Sequence, residues 1–78
     1  MSVLSQFIAP PTHPKQLRRC PRNDLHAALK ELGAVNITPL SVIHYRNGRD
    51  GIGFSYTFNG RYGFIREESD GTMGTYYA

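Results

Sequence analysis

The sequence predicts an α+β fold in which one short helix packs on a four-stranded antiparallel meander, and three observations predict it. Ile52, Phe54, Tyr56 and Phe58 alternate with Gly51, Gly53, Ser55 and Thr57, the period of two expected of a strand with one buried face. Tyr62, Phe64 and Ile65 resume the apolar pattern after Asn59-Gly60, so residues 52–66 read as a β-hairpin. Leu25, Ala28, Leu29 and Leu32 fall at i, i+3, i+4 and i+7, the stripe of an amphipathic helix.

Four of the nine aromatic residues lie between Tyr56 and Phe64, which makes the hairpin the center of any core. A two-residue Asn59-Gly60 loop would pair Phe58 with Arg61 and divide the aromatic side chains between the two faces. A three-residue loop, Phe58-Asn59-Gly60 with Gly60 at positive φ, pairs Tyr56 with Tyr62 and Phe54 with Phe64, and gathers Ile52, Phe54, Tyr56, Tyr62 and Phe64 on one side. Cross-strand aromatic pairs contribute roughly 0.2 to 1 kcal/mol each, so the three-residue loop is expected. Gly53, Ser55, Thr57, Gly63 and Ile65 would then form a flat opposite face.

The helix is expected over about 24–32, with Asn23 as N-cap, Asp24 in its first turn and Gly33 at the C′ position. Val42, Ile43 and Tyr45 predict a strand over about 40–46, ended by Asn47-Gly48. The hairpin supplies strands at about 52–57 and 61–67, and 72–77 returns as the fourth after the acidic turn Glu67-Glu68-Ser69-Asp70-Gly71. In this meander Arg49 and Arg66 approach Glu67, Glu68 and Asp70 at one end, with the Asn59-Gly60 turn at the other. Residues 2–8 read equally as a helix or as an extended arm. Four of the five prolines fall between Ala9 and Pro21, so residues 1–22 are expected to form a partly irregular, exposed strap.

At 78 residues the chain is expected to form one domain with a modest core and little depth for an enclosed active site. Its net charge of +3 is uneven: Lys15, Arg18, Arg19, Arg22 and Lys30 face only Asp24 and Glu31 in residues 1–36. A single cysteine, Cys20, excludes an internal disulfide and fits a reducing compartment. The first residues do not read as a signal peptide, and no apolar run approaches the roughly 18 residues of a membrane helix. A cytoplasmic protein without a membrane partner is expected.

No catalytic set emerges. His13, His26 and His44 lack zinc-site spacing, the glycines Gly48, Gly51 and Gly53 match no phosphate loop, and no metal or other cofactor is expected. Cys20 lacks a nucleophile motif, although nearby arginines would lower its pKa. Lys15, Arg18, Arg19 and Arg22 place four positive charges in eight residues without an acid, enough to meet an acidic protein patch or a few phosphates. Lying outside predicted elements, they should be replaceable without loss of stability.

Residues 58–71, with Phe58-Asn59, Arg61-Tyr62-Gly63-Phe64-Ile65 and Asp70-Gly71, resemble the RNA-binding strand of cold-shock domains. The glycine that family carries between the basic residue and the first aromatic is missing, and only seven residues follow Gly71. The resemblance implies RNA or single-stranded DNA as ligand, with Tyr62 and Phe64 as base-stacking aromatics and Arg61 and Arg66 beside them.

The leading expectation is a non-enzymatic interaction protein that binds and blocks a larger protein or ribonucleoprotein with an acidic surface. Small size, basic charge and tyrosines resemble short phage and mobile-element inhibitors of nucleic-acid-handling host systems, anti-CRISPR proteins among them. Lys15, Arg18, Arg19, Arg22, Tyr45, Arg49, Tyr76 and Tyr77 are the candidate partner-binding residues, since Tyr and Arg are favored at hot spots. The alternative is direct binding of RNA or single-stranded DNA by the strap and by Arg61, Tyr62, Phe64 and Arg66.

Overall fold

A computed structural model describes residues 2–77. Helix α1 (Leu25–Leu32) packs on a four-stranded antiparallel sheet whose strands are β1 (Val35–Pro39), β4 (Gly53–Phe58), β5 (Arg61–Glu67) and β6 (Met73–Tyr77), in that order. A ribbon of β2 (Ile43–His44) and β3 (Asp50–Gly51) forms a second, two-stranded sheet.

The helix follows its sequence signals closely at one end. Leu25, Ala28 and Leu29 are buried and Leu32 packs beside them. Gly33, at φ 95°, lets its N–H donate to Lys30 O and the Ala34 N–H to Leu29 O, a Schellman closure of the last turn. The start differs from expectation: Asn23 lies within a 3-10 turn, Arg22–Asp24, and Asp24 takes the N-cap position without a side-chain cap bond.

The hairpin takes the two-residue loop, correcting the expected register. Phe58 opposes Arg61, Thr57 opposes Tyr62, Tyr56 opposes Gly63 and Ser55 opposes Phe64. Asn59 and Gly60 both adopt positive φ, 51° and 77°, a type I′ turn whose twist matches that of the strands. Opposed residues share a face, so Ile52, Phe54, Tyr56, Phe58, Gly63 and Ile65 lie toward α1, and Tyr62 and Phe64 lie on the other side. The expected single aromatic face, and the placement of Gly63 and Ile65 on the flat face, are both overturned. Gly63 leaves room for the Tyr77 ring, whose carbon would stand 2.8 Å from an added Cβ.

The first strand of the sheet is 35–39 rather than 40–46. Its pairing with β4 shifts between Val35 and Thr38, where Asn36 sits at φ 55°, a bulge of the kind that blunts an edge strand. Only Ile43 and His44 of the expected strand pair, and they do so with β3 in the ribbon.

The N-terminal strap is also more ordered than its prolines suggest. Pro11, Pro14, Leu17 and Cys20 recur at every third position and all are buried, in step with 3-10 geometry, where residues i and i+3 eclipse. Leu17 is 0% exposed and joins the core with Cys20, Leu25, Leu29, Tyr56, Ile65 and Met73. The Met73 N–H donates to Arg18 O at 2.9 Å, tying the strap to the outer edge of β6. Residues 2–8 form a 3-10 turn, Leu4–Gln6, that ends at Phe7 in extended backbone and continues through bends, so they are neither the expected helix nor a straight arm. The Glu31 carboxylate accepts from Ser2 Oγ, from Val3 N at 2.7 Å and from Leu4 N at 3.4 Å, fixing this arm against the helix. No helix among the described residues is long and apolar enough to cross a membrane.

Candidate functional site

With α1 and the strap on one side, the sheet is covered on that side; on the other, Tyr62 and Tyr76 are exposed, and Leu40 lies only over Gly53 at the ribbon end. The open face is built in rows by the strand register: Val35, Thr57 and Tyr62 in one, Thr38, Ser55, Phe64 and Tyr76 in the next, Gly53, Arg66 and Gly74 in a third. Phe64 and Tyr76 stack with ring centroids 5.1 Å apart and planes 17° from parallel. The Arg66 guanidinium lies 5.0 Å from the Tyr76 ring centroid, within cation–π range. Glu68 accepts from the Tyr76 hydroxyl at 2.6 Å and from Arg66 Nε at 3.5 Å, and Gly74 leaves space for its carboxylate. The result is a preformed aromatic platform held by its own cross-strand contacts. Tyr62 remains 54% exposed and Tyr76 38%.

The two ends of the sheet differ in charge. At the ribbon end Glu67 is buried, 2% exposed, yet Arg49 Nη2 donates to its Oε2 at 2.7 Å and Arg22 Nη2 stands 3.6 Å from its Oε1. The Tyr45 hydroxyl donates to the Glu67 carbonyl at 2.7 Å. Hydrogen bonds from the Thr72 side chain and N–H hold Asp70 below the usual carboxylate range. The expected mixed-charge end is therefore present, with a buried carboxylate at its center. At the turn end, Arg61 and Lys15 lie 4.4 Å and 5.5 Å from the Tyr77 ring centroid, and neither forms an ion pair among the described residues.

The structure thus divides the sequence candidates. Tyr62, Phe64, Arg66 and Tyr76 come together on the open face, whereas Arg61 points to the covered side with Tyr77. Lys15, Arg18, Arg19 and Arg22 are exposed on the strap, away from the platform. Arg22, Arg49 and Tyr45 are engaged with Glu67, so the strap charges are not all dispensable to the fold. Tyr77 is half-buried, its hydroxyl 3.3 Å from His13 Nε2. Val35 and Glu68 were missed; the signal for Val35 was its position opposite Thr57, which only the long-range register reveals.

Burial pushes the Cys20 thiol up to about 11, with Asp24 adding to the rise, which reverses the expectation that arginines would activate it. A groove of about 410 Å³ between the N-terminal arm and the start of α1 is lined by apolar residues such as Val3, Phe7 and Pro21, with Arg19 and Asp24. No group of three or more His, Cys, Asp or Glu residues able to hold a metal occurs among the described residues. Comparison of the chain with protein-family models, curated proteins and solved structures finds no match. The cold-shock resemblance of residues 58–71 therefore rests on those residues alone.

Proposed function

We propose that this protein acts by binding rather than by catalysis, docking the open face of its sheet on a larger protein or ribonucleoprotein. The observation that carries this reading is the exposed platform of Tyr62, Phe64, Tyr76 and Arg66 on a sheet whose other face is closed. Tyrosine and arginine dominate interface energetics, and a grouped apolar surface on a small body marks an interaction site more than scattered apolar residues do. Arg66 and Glu68 offset each other, so the platform itself is close to neutral and suits a protein surface. The cations Arg18 and Arg19 of the strap favor a partner with acidic character. In its sharpest form the reading is that of a cytoplasmic inhibitor of a nucleic-acid-handling host system, as short phage and mobile-element proteins such as anti-CRISPR proteins are.

The test is capture of partners from host lysate by the intact chain and by a Tyr62→Ser/Tyr76→Ser variant, with nuclease-treated and untreated lysate side by side. A partner retained after nuclease treatment and lost with the variant supports the reading. Equal recovery by both proteins contradicts it.

The second reading is direct binding of RNA or single-stranded DNA, favored by the stacking geometry of the same platform. It requires affinity that falls steeply with salt as phosphates are neutralized. Recovery only from untreated lysate, with that salt dependence, would select it over a protein partner.

A further inference from the structure

We propose that the turn end of the sheet is a phosphate-binding site formed by Lys15 and Arg61 beside Tyr77, separate from the open aromatic face. Arg61 directly follows the type I′ turn, and its backbone is fixed opposite Phe58. Lys15 sits in the 3-10 turn Pro14–Gln16, whose entry is capped reciprocally: His13 Nδ1 accepts from Lys15 N at 3.1 Å, and Gln16 Oε1 accepts from His13 N at 3.1 Å. The His13–Tyr77 contact joins this turn to β6, so two segments remote in sequence present their cations at one aromatic ring.

Both charges lie near one ring centroid, at 5.5 and 4.4 Å, so two cations from remote segments share one aromatic side chain and raise the local positive potential. Arg22, Arg49 and Arg66 each meet a carboxylate; Lys15 and Arg61, like Arg18, Arg19, Lys30 and Arg46, meet none among the described residues, and what sets the pair apart is the Tyr77 ring they share. An anion held between them would be attracted by both charges. Phosphate suits the pair better than a carboxylate because it offers more than one negative charge and oxygens on every side, for an arginine fork and a lysine point charge.

The test is a nuclear magnetic resonance titration of the full chain with inorganic phosphate at constant ionic strength. Saturable shifts at the amides of Lys15, Arg61 and Tyr77 are expected. Arg61→Gln and Lys15→Gln should each weaken affinity by about five-fold or more, as loss of a charge-assisted hydrogen bond does, while Lys30→Gln on the exposed side of α1 should leave it unchanged. Both site residues are exposed, and matching unfolding curves would confirm that the variants fold. Absence of saturation, equal shifts at Arg18, Arg19 and Lys30, or unchanged affinity in Arg61→Gln would overturn the proposal. A second arm uses a short single-stranded oligouridylate: tighter binding than inorganic phosphate assigns the site to a phosphodiester backbone, and equal binding assigns it to free phosphate. Neither result depends on the open face, so the site and the docking reading stand or fall separately.

Discussion

Neighboring residues of β5 occupy opposite environments. Ile65 is 0% exposed beneath α1 and the strap, while Tyr62, three residues earlier, is 54% exposed. Glu67 and Glu68 repeat the contrast with charge, since Glu67 is buried between Arg22 and Arg49, whereas Glu68 links Arg66 and Tyr76 on the open side. The strand is equally rich in large side chains on both sides. What separates the faces is the cover, not the composition: α1 and the strap supply Leu17, Cys20, Leu25 and Leu29 to one side only. An apolar side chain on the covered side therefore carries stability, and one on the open side is left for contact with something else.

The largest expected effect comes from the cover itself. Leu17→Ala should cost about 2 to 5 kcal/mol as a cavity in the core, measured by denaturant unfolding, because the strap is part of the core; an exposed strap would lose almost nothing. Next is the contrast between two arginine–glutamate pairs at the same end of the sheet. Arg49→Ala should cost about 1 to 2 kcal/mol, since it strips the hydrogen-bonded partner from a buried carboxylate while the guanidinium itself is half-exposed. Arg66→Ala on the open side should cost less than about 1 kcal/mol. Gly63→Ala should cost about 1 to 3 kcal/mol by overpacking, because its Cβ would meet both the Tyr77 ring and the Tyr76 carbonyl; loss of the Tyr77 ring's packed signals in the aromatic spectrum would report the displacement.

The smallest effect is local and depends on pH. Bonds from Ser2 Oγ and Val3 N hold the Glu31 carboxyl below its ordinary value. A lowered folded-state pKa means that the anchoring of the arm is complete above the ordinary carboxylate pKa and is lost as pH falls through the folded value. Amide exchange at Val3 and Leu4 should therefore accelerate relative to core amides on acidification, and Glu31→Gln should show the faster exchange already at neutral pH.

The helix and the hairpin were legible because their signals are local: a 3.6-residue stripe closed by Gly33, and an alternating run ended by Asn59-Gly60. The register differs from expectation because the turn, and not the gathering of aromatics on one face, sets it. Two consecutive residues tolerant of positive φ favor the two-residue loop, and the covered face obtains its apolar area from the strap instead. That supply is visible as the three-residue spacing of Pro11, Pro14, Leu17 and Cys20, since prolines exclude long regular structure without implying exposure. The first strand is hard to see locally because Val35, Ile37 and Thr38 favor a strand while Asn36, at positive φ, and Pro39 interrupt so short a run; its pairing with β4 sets it. The open platform followed from the register and was missed with it, although Tyr62, Phe64 and Arg66 had been singled out through the cold-shock resemblance.

The central claim, that one face of the sheet carries the fold and the other is free for binding, is tested most directly by denaturant unfolding of Ile65→Ala and Tyr62→Ser side by side. The account predicts a loss of about 2 to 5 kcal/mol for Ile65→Ala and a change within about 0.5 kcal/mol for Tyr62→Ser. Equal losses from the two substitutions would show that the open face is packed in the folded protein, and would contradict the division of the sheet into a structural and a binding side.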